Sequence, residues 1–310
     1  MIPKPIVSVT AVLLLCSAVG LLEAQSTVLP SFDVVSVKPN NSDDQARANF
    51  PLGPGDVYVT NGGYFTATGF PLATYVAFAY KIMGSDAQAV LAQLPGWAST
   101  ERFDIQARTD GDPAKDTKDQ MRLMMRSLLA DRFKLTVHYE TRDASVFALT
   151  LQKPDKMGPQ LQAHPAGAEC TTVLANGANS PPTGVPGGTV EGGYPTQCGG
   201  LLLLPSPNGR LRGGARNVTM PFIGNLLTNI GALGRPVVDH TGLSGTFDFV
   251  LEFSPDPSSL TQQLGPDFLP DPNGPSFMDA VKNQLGLKLE SQKASAQFLM
   301  IDHVERPTGN

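Results

Sequence analysis

The sequence predicts an α+β protein made of two tandem βαβ-αββ units, with helices packed on mostly antiparallel sheets. Three observations predict it. Short alternating apolar runs and longer runs with helical spacing succeed one another along the chain. The order of these patterns occurs twice. The composition is that of a packed chain rich in turns: 41% hydrophobic and 16% charged, with 31 Gly and 27 Pro among 310 residues.

In the first unit, residues 63–68 alternate as a short strand. Pro71 suits a first helical turn, and Leu72, Tyr75, Val76 and Ala79 recur at helical spacing, giving a helix over residues 71–82. Leu94, Pro95, Gly96 and Trp97 read as a turn, and residues 102–107 alternate as a strand. Thr117 and Gln120 form a capping-box pattern, in which a hydroxyl and an amide satisfy free backbone N–H groups. Met121, Met124, Met125, Leu128 and Leu129 then share one apolar face. Residues 134–139 and 146–151 read as the two strands of a hairpin.

The second unit repeats the order. Residues 211–217 read as a weak strand, and 220–232 as a helix with Met220, Ile223, Leu227 and Ile230 on one face. A turn at 242–245 leads to a strand at 246–251. Ser276 starts a helix that runs to about Gln284, and residues 287–290 and 297–304 close a second hairpin. Single residues match too: Phe103-Asp104 with Phe247-Asp248, Gly96-Trp97 with Gly242-Leu243, and Ala144-Ser145 with Ala294-Ser295. An internal duplication accounts for this better than chance convergence on a common pattern.

The ends and joints of the units follow. Lys4, then a nearly uncharged run over residues 6–22 and small Ala24, read as an export signal over 1–24, cut before Gln25. The apolar run falls short of the roughly 20 residues that span a membrane comfortably, so no span is expected in the mature chain. The first unit, with a leading strand at 32–37, occupies 31–153. Residues 154–208 form a Gly/Pro-rich linker in which the run 201–204 packs on a domain or adds an edge strand, and the second unit occupies 209–310. Once Cys16 leaves with the signal, Cys170 and Cys198 remain, and an oxidising compartment favours a disulfide between them. Closing that loop contributes roughly 3–4 kcal/mol in the chain-entropy model. The net charge of -5, without a basic run, argues against nucleic acid and anionic lipid as partners.

Four segments carry a family resemblance: residues 32–39, 128–135, 234–243 and 301–307. Together they resemble a large family of exported proteins of unassigned function that is expanded in soil acidobacteria. That resemblance implies a periplasmic or secreted protein. Some relatives carry the same domain behind a membrane metallopeptidase of the antirepressor type, which suits an extracytoplasmic sensing or binding role. In rhythm, residues 220–253 and 277–304 are similar to the secretin and TonB short N-terminal domain, a periplasmic module that mediates protein contacts.

Catalytic patterns are weak by comparison. The sequence holds no zinc-binding H-E-x-x-H, nucleophile elbow or phosphate loop, and no metal or cofactor is implied. His138, His164, His240 and His303 are scattered. The paired Asp104 and Asp248 read as carboxylates that hydrogen-bond nearby turns. Trp97, Arg102, Arg235, Asp239 and His240 are the candidate binding residues, because aromatic and Arg side chains anchor interfaces; no catalytic residue is assigned. The first functional reading is a non-catalytic periplasmic or extracellular binding protein, whose partner is an envelope protein or a small ligand. The second is a hydrolase or lyase with a site in the cleft between the units. An exposed sheet edge favours binding, and a cleft of perturbed carboxylates favours the enzyme.

Overall fold

The computed structural model describes residues 29–56, 61–83, 86–109, 117–168, 193–206, 208–256 and 268–307. The expected export signal and Cys170 lie outside them. The protein is α+β. Its elements are β1 (Val34–Asn40), β2 (Arg47–Ala48), β3 (Tyr64–Pro71), α1 (Leu72–Ala79), α2 (Asp86–Leu91), α3 (Trp97–Thr100), β4 (Arg102–Arg108), α4 (Lys118–Phe133) and β5 (Thr136–Leu151) in the first half. The second half holds β6 (Leu161–Ala163), β7 (Leu202–Ser206), β8 (Arg210–Val218), α5 (Met220–Ile230), β9 (Val237–Asp239), β10 (Phe247–Phe253), α6 (Phe277–Ala280) and β11 (Leu287–His303). A π turn, Val281–Leu285, joins α6 to β11.

Two four-stranded antiparallel sheets have the same order. The first runs β1-β4-β3-β2 and the second β6-β10-β8-β7. In each, the two edge strands come first in the chain, then an inner strand, a helix, the other inner strand, a second helix and a long strand. The inner pairs also share an irregularity. Register shifts after Ala67 in β3, and at the matching place in β8 opposite Phe247 and Phe249. There Gly69 (φ 74) and Asn217 (φ 53) take the left-handed conformation.

Each sheet buries one face under its helices. Phe50, Phe65, Phe78, Phe103, Tyr75, Met121, Met125 and Leu129 fill the first core. Phe249, Phe253, Leu211, Ile223, Leu227 and Leu285 fill the second. The apolar face expected on α4 is therefore core. The capping box also forms: Thr117 Oγ1 accepts from the Gln120 N–H at 3.2 Å, and Gln120 Oε1 from the Thr117 N–H at 2.8 Å. α4 and the π turn both end on a left-handed residue, Lys134 (φ 51) and Gly286 (φ 69).

Three expectations need correction. Neither hairpin forms. β5 and β11 are continuous strands of 16 and 17 residues, and they pair with each other, antiparallel, from Leu287 opposite Leu151 to His303 opposite Thr136. Residues 140–145 contain no Gly, Pro or Asn to turn the chain, and an uninterrupted partner is available. The stretch 154–208 is more than a linker, since β6 and β7 within it are the edges of the second sheet. β7 is the edge strand expected from residues 201–204. Lastly, Trp97 does not sit in a turn but starts α3, where the Ala98 N–H already reaches the Pro95 carbonyl.

Candidate functional site

The β5/β11 ribbon is the part of the fold least covered by the rest. β5 leaves the first core at Leu135 and Val137 and enters the second at Phe147 and Leu149. β11 does the reverse, from Leu287 and Leu289 in the second core to Ile301 and Val304 against the first. Between the cores the ribbon stands in solvent: every residue from Tyr139 to Asp143 is exposed. Arg142 stacks over Phe298 at 4.0 Å, giving this stretch a cover of its own.

Each outer edge of the ribbon is closed only near one core. On β5, the parallel strand β9 covers Phe147 to Leu149; the Phe147 N–H donates to Pro236 O (2.8 Å) and the His240 N–H to Leu149 O (2.9 Å). On β11, the side chain of Gln93 does the same work. Its Nε2 donates to Leu299 O at 3.5 Å, and its Oε1 accepts from the Ile301 N–H at 3.0 Å. One side-chain amide thus stands where β9 stands on the other edge. Along the rest of both edges, no strand pairs with the ribbon among the described residues. Backbone groups alternate, so the odd-numbered residues 139–145 and 291–297 point their N–H and C=O groups outward.

The candidate residues divide between the two cores. Trp97 is half-buried against the first, edge-on to Phe103 (6.4 Å, 77°), with Arg306 5.0 Å from its ring centroid. Arg306 also grips Glu101 with two nitrogens, at 2.7 and 3.0 Å, and holds that carboxyl below the usual carboxylate range. Arg102 is spent on backbone: Nε donates to Gly69 O (2.6 Å), Nη1 to Ser42 O (2.7 Å) and Nη2 to Asp44 O. It pins the loop after β1 rather than presenting a free cation. Beside it lies a polar cleft of about 340 Å³, lined by residues 39–43 and 100–103. Arg235, Asp239 and His240 gather instead around β9. Arg235 stacks on Phe147 at 4.0 Å and donates to Ser291 Oγ at 2.8 Å, tying β9 to both ribbon strands. Asp239 accepts from the N–H and hydroxyl of Thr241, at 2.9 and 2.7 Å, and turns the chain out of β9. The His240 side chain is exposed.

The paired carboxylates occupy matching nodes. Asp104 Oδ1 accepts from the Gly69 N–H (2.8 Å) and from Asn40 Nδ2 (2.6 Å). Asp248 Oδ1 accepts from the Asn217 N–H (2.9 Å) and pairs with His164 Nδ1 (2.6 Å). Both nodes hold the left-handed residue of the bulge and an edge strand, as a turn-bonding Asp should. The second is more highly charged and more deeply buried. His164 and Asp248 side chains are 8% and 3% exposed, and Arg216 Nε lies 3.6 Å from Asp248 Oδ2. Sequence reading missed this pair because its members are 84 residues apart. The His164 ring makes no second hydrogen bond among the described residues, so no nucleophile among them completes a catalytic triad there. Two other histidines sit on the ribbon in exposed pairs, His138 with Asp302 and His303 with Glu305, each at 2.8 Å.

No group of three metal-binding side chains occurs among the described residues, and none of their helices is long and apolar enough to cross a membrane. Residues 73–304 match the family model described as a protein of unknown function, DUF3738. No curated protein and no solved structure matches the chain. The matched stretch runs from α1 through β11; it takes in the second core, the ribbon and the part of the first core that follows β3, which is most of the sequence: the chain belongs to the DUF3738 family.

Proposed function

We propose that this is an exported, non-catalytic binding protein of the periplasm or cell exterior that captures an extended segment of another envelope protein along the β5/β11 ribbon. The observation that carries the reading is the ribbon's pair of open edges between Tyr139 and Ser145 and between Ser291 and Gln297. Open edges add strands by main-chain hydrogen bonding, with side-chain pockets supplying selectivity. β9 is an internal instance of a strand taken up on such an edge. Export rests on the signal-like N-terminus, which also supports a Cys170–Cys198 disulfide in the mature chain. The resemblances to acidobacterial exported proteins and to the secretin and TonB short N-terminal domain support a role in envelope protein contacts. The matching sheet orders and Asp nodes support an internal duplication as the origin of the two halves.

The test is capture of native envelope proteins on the purified chain, compared with Asp143→Pro and Ser295→Pro. Each proline removes one outward N–H and leaves the pairing inside the ribbon intact. A partner that binds the parent chain, and is lost from both variants while their melting temperatures hold, supports strand addition. Equal capture by the variants rejects it. The hydrolase or lyase reading would rest on His164 and Asp248. It requires His164→Asn, which installs the side chain present at Asn40, to abolish a measurable activity.

A further inference from the structure

The N-terminal end of α4 carries two cationic side chains that are incompletely partnered among the described residues. Lys118 is 4% exposed and Arg122 is 2% exposed. They are four residues apart on one helix, so their stems run side by side. Arg122 Nη1 donates to Asp56 (2.8 Å) and Asp119 (2.6 Å), and Nη2 to the carbonyls of Pro54 (2.9 Å) and Gly55 (3.0 Å). Its Nε–H is buried with no acceptor among the described residues. Lys81 Nζ takes both oxygens of Asp56, at 2.6 and 2.7 Å. Both nearby described carboxylates are therefore engaged by other cations, and the Lys118 ammonium makes no hydrogen bond or ion pair among the described residues. Its Nζ lies 6.0 Å from the centroid of Phe50, and Arg122 Cζ lies 5.9 Å from that of Phe78. Those two rings meet edge to face at 5.9 Å. Among the described residues, three cations thus face two carboxylates above an aromatic floor.

We infer that Lys118 and Arg122 hold a small monovalent anion, of chloride size, between the Lys118 ammonium and the Arg122 Nε–H. Such an ion supplies the acceptor that the buried Arg122 Nε–H lacks among the described residues and a partner for the Lys118 ammonium, and burying an unmatched donor or charge is costly. Small size follows from the burial of both side chains. The charged groups around Lys118 are Asp56, Lys81, Asp119 and Arg122; burial first, then Arg122, pushes its pKa down to about 7 in their company. The ion should therefore bind best where Lys118 is protonated, and its binding should draw a proton onto Lys118 as pH rises through neutrality.

The test compares the melting temperature of the full chain in sodium chloride and in sodium gluconate at equal ionic strength, at pH 6 and pH 9. Saturating chloride should raise it by about 3 °C at pH 6. The gain should shrink at pH 9 and vanish in Lys118→Met. A crystal of the unaltered chain soaked in bromide should show an anomalous peak between the two nitrogens, a readout that does not depend on any variant folding. The inference is overturned by equal melting in the two salts at pH 6, by an unchanged chloride gain in a folded Lys118→Met, or by water alone at that position in the soaked crystal.

Discussion

Ala144 of β5 lies directly opposite Ala294 of β11. Ala144-Ser145 and Ala294-Ser295 match in sequence, so the proposed duplication would centre the pairing of the two long strands on equivalent positions. Each strand begins in its own core and ends in the other. The halves are thereby joined by a full-length strand exchange rather than by a linker alone. The chain should unfold in urea as one cooperative transition, with fluorescence and circular dichroism coincident. Residues 29–153 expressed alone should form a dimer in which β5 pairs with its copy about Ala144. Two separated transitions, or a folded monomeric half, would contradict this joint.

The Asp nodes differ in charge and should differ in cost. Asp104→Asn keeps the Oδ1 that accepts from Asn40 and the Gly69 N–H and loses only the negative charge, for roughly 0.5–1.5 kcal/mol. Asp248→Asn keeps an oxygen for His164 and the Asn217 N–H but leaves Arg216 buried without its carboxylate, for roughly 3–5 kcal/mol. Urea midpoints at pH 7 measure both. Equal losses would mean that Arg216 is compensated elsewhere.

Lys118 fixes a pH dependence. Its pKa falls from 10.5 unfolded to about 7 folded. Between those values the unfolded chain binds more protons, so this group makes stability rise with pH from about 7 to about 10.5. Below 7 the full cost of burying the ammonium is present. In gluconate, Lys118→Met should stabilise the chain at pH 7 by roughly 2–4 kcal/mol, and the advantage should fade toward pH 10. A pH-independent difference between variant and parent would rule out this account of Lys118.

The two helix ends offer an opposed pair of substitutions. Lys134→Gly relieves a left-handed non-glycine and should stabilise by roughly 0.5–1 kcal/mol. Gly286→Ala forces the same conformation and would place its Cβ 2.5 Å from the Gly158 nitrogen. It should cost roughly 2 kcal/mol or more. Thermal melts of the two variants give both signs directly.

What the sequence made legible was local. α1, α4 and α5 follow from apolar spacing, the cap of α4 from Thr117 and Gln120, and the turn-bonding role of Asp104 and Asp248 from the repeated Phe-Asp pair. What it hid depends on distant partners. Whether residues 134–151 fold back or run straight is decided by β11, from the far half of the chain. β6 is three residues long, too short to show a period. His164 meets Asp248 only because β6 and β10 are neighbours. Gln93 replaces a strand with a side chain, which leaves no pattern at all. Arg102 and Arg235 read as candidate interface anchors, yet the carbonyls of Ser42 and Gly69 and the ring of Phe147 claim them.

Amide hydrogen exchange on the full chain, with and without a captured envelope partner, tests strand addition most directly. Partner binding should slow exchange at outward amides of one ribbon edge, Tyr139, Thr141 and Asp143 or Lys293, Ser295 and Gln297, and leave the inward amides between them unchanged. Protection confined to the cleft at residues 100–103 or to the β9 cluster around His240, with the ribbon edges exchanging as before, would contradict the account.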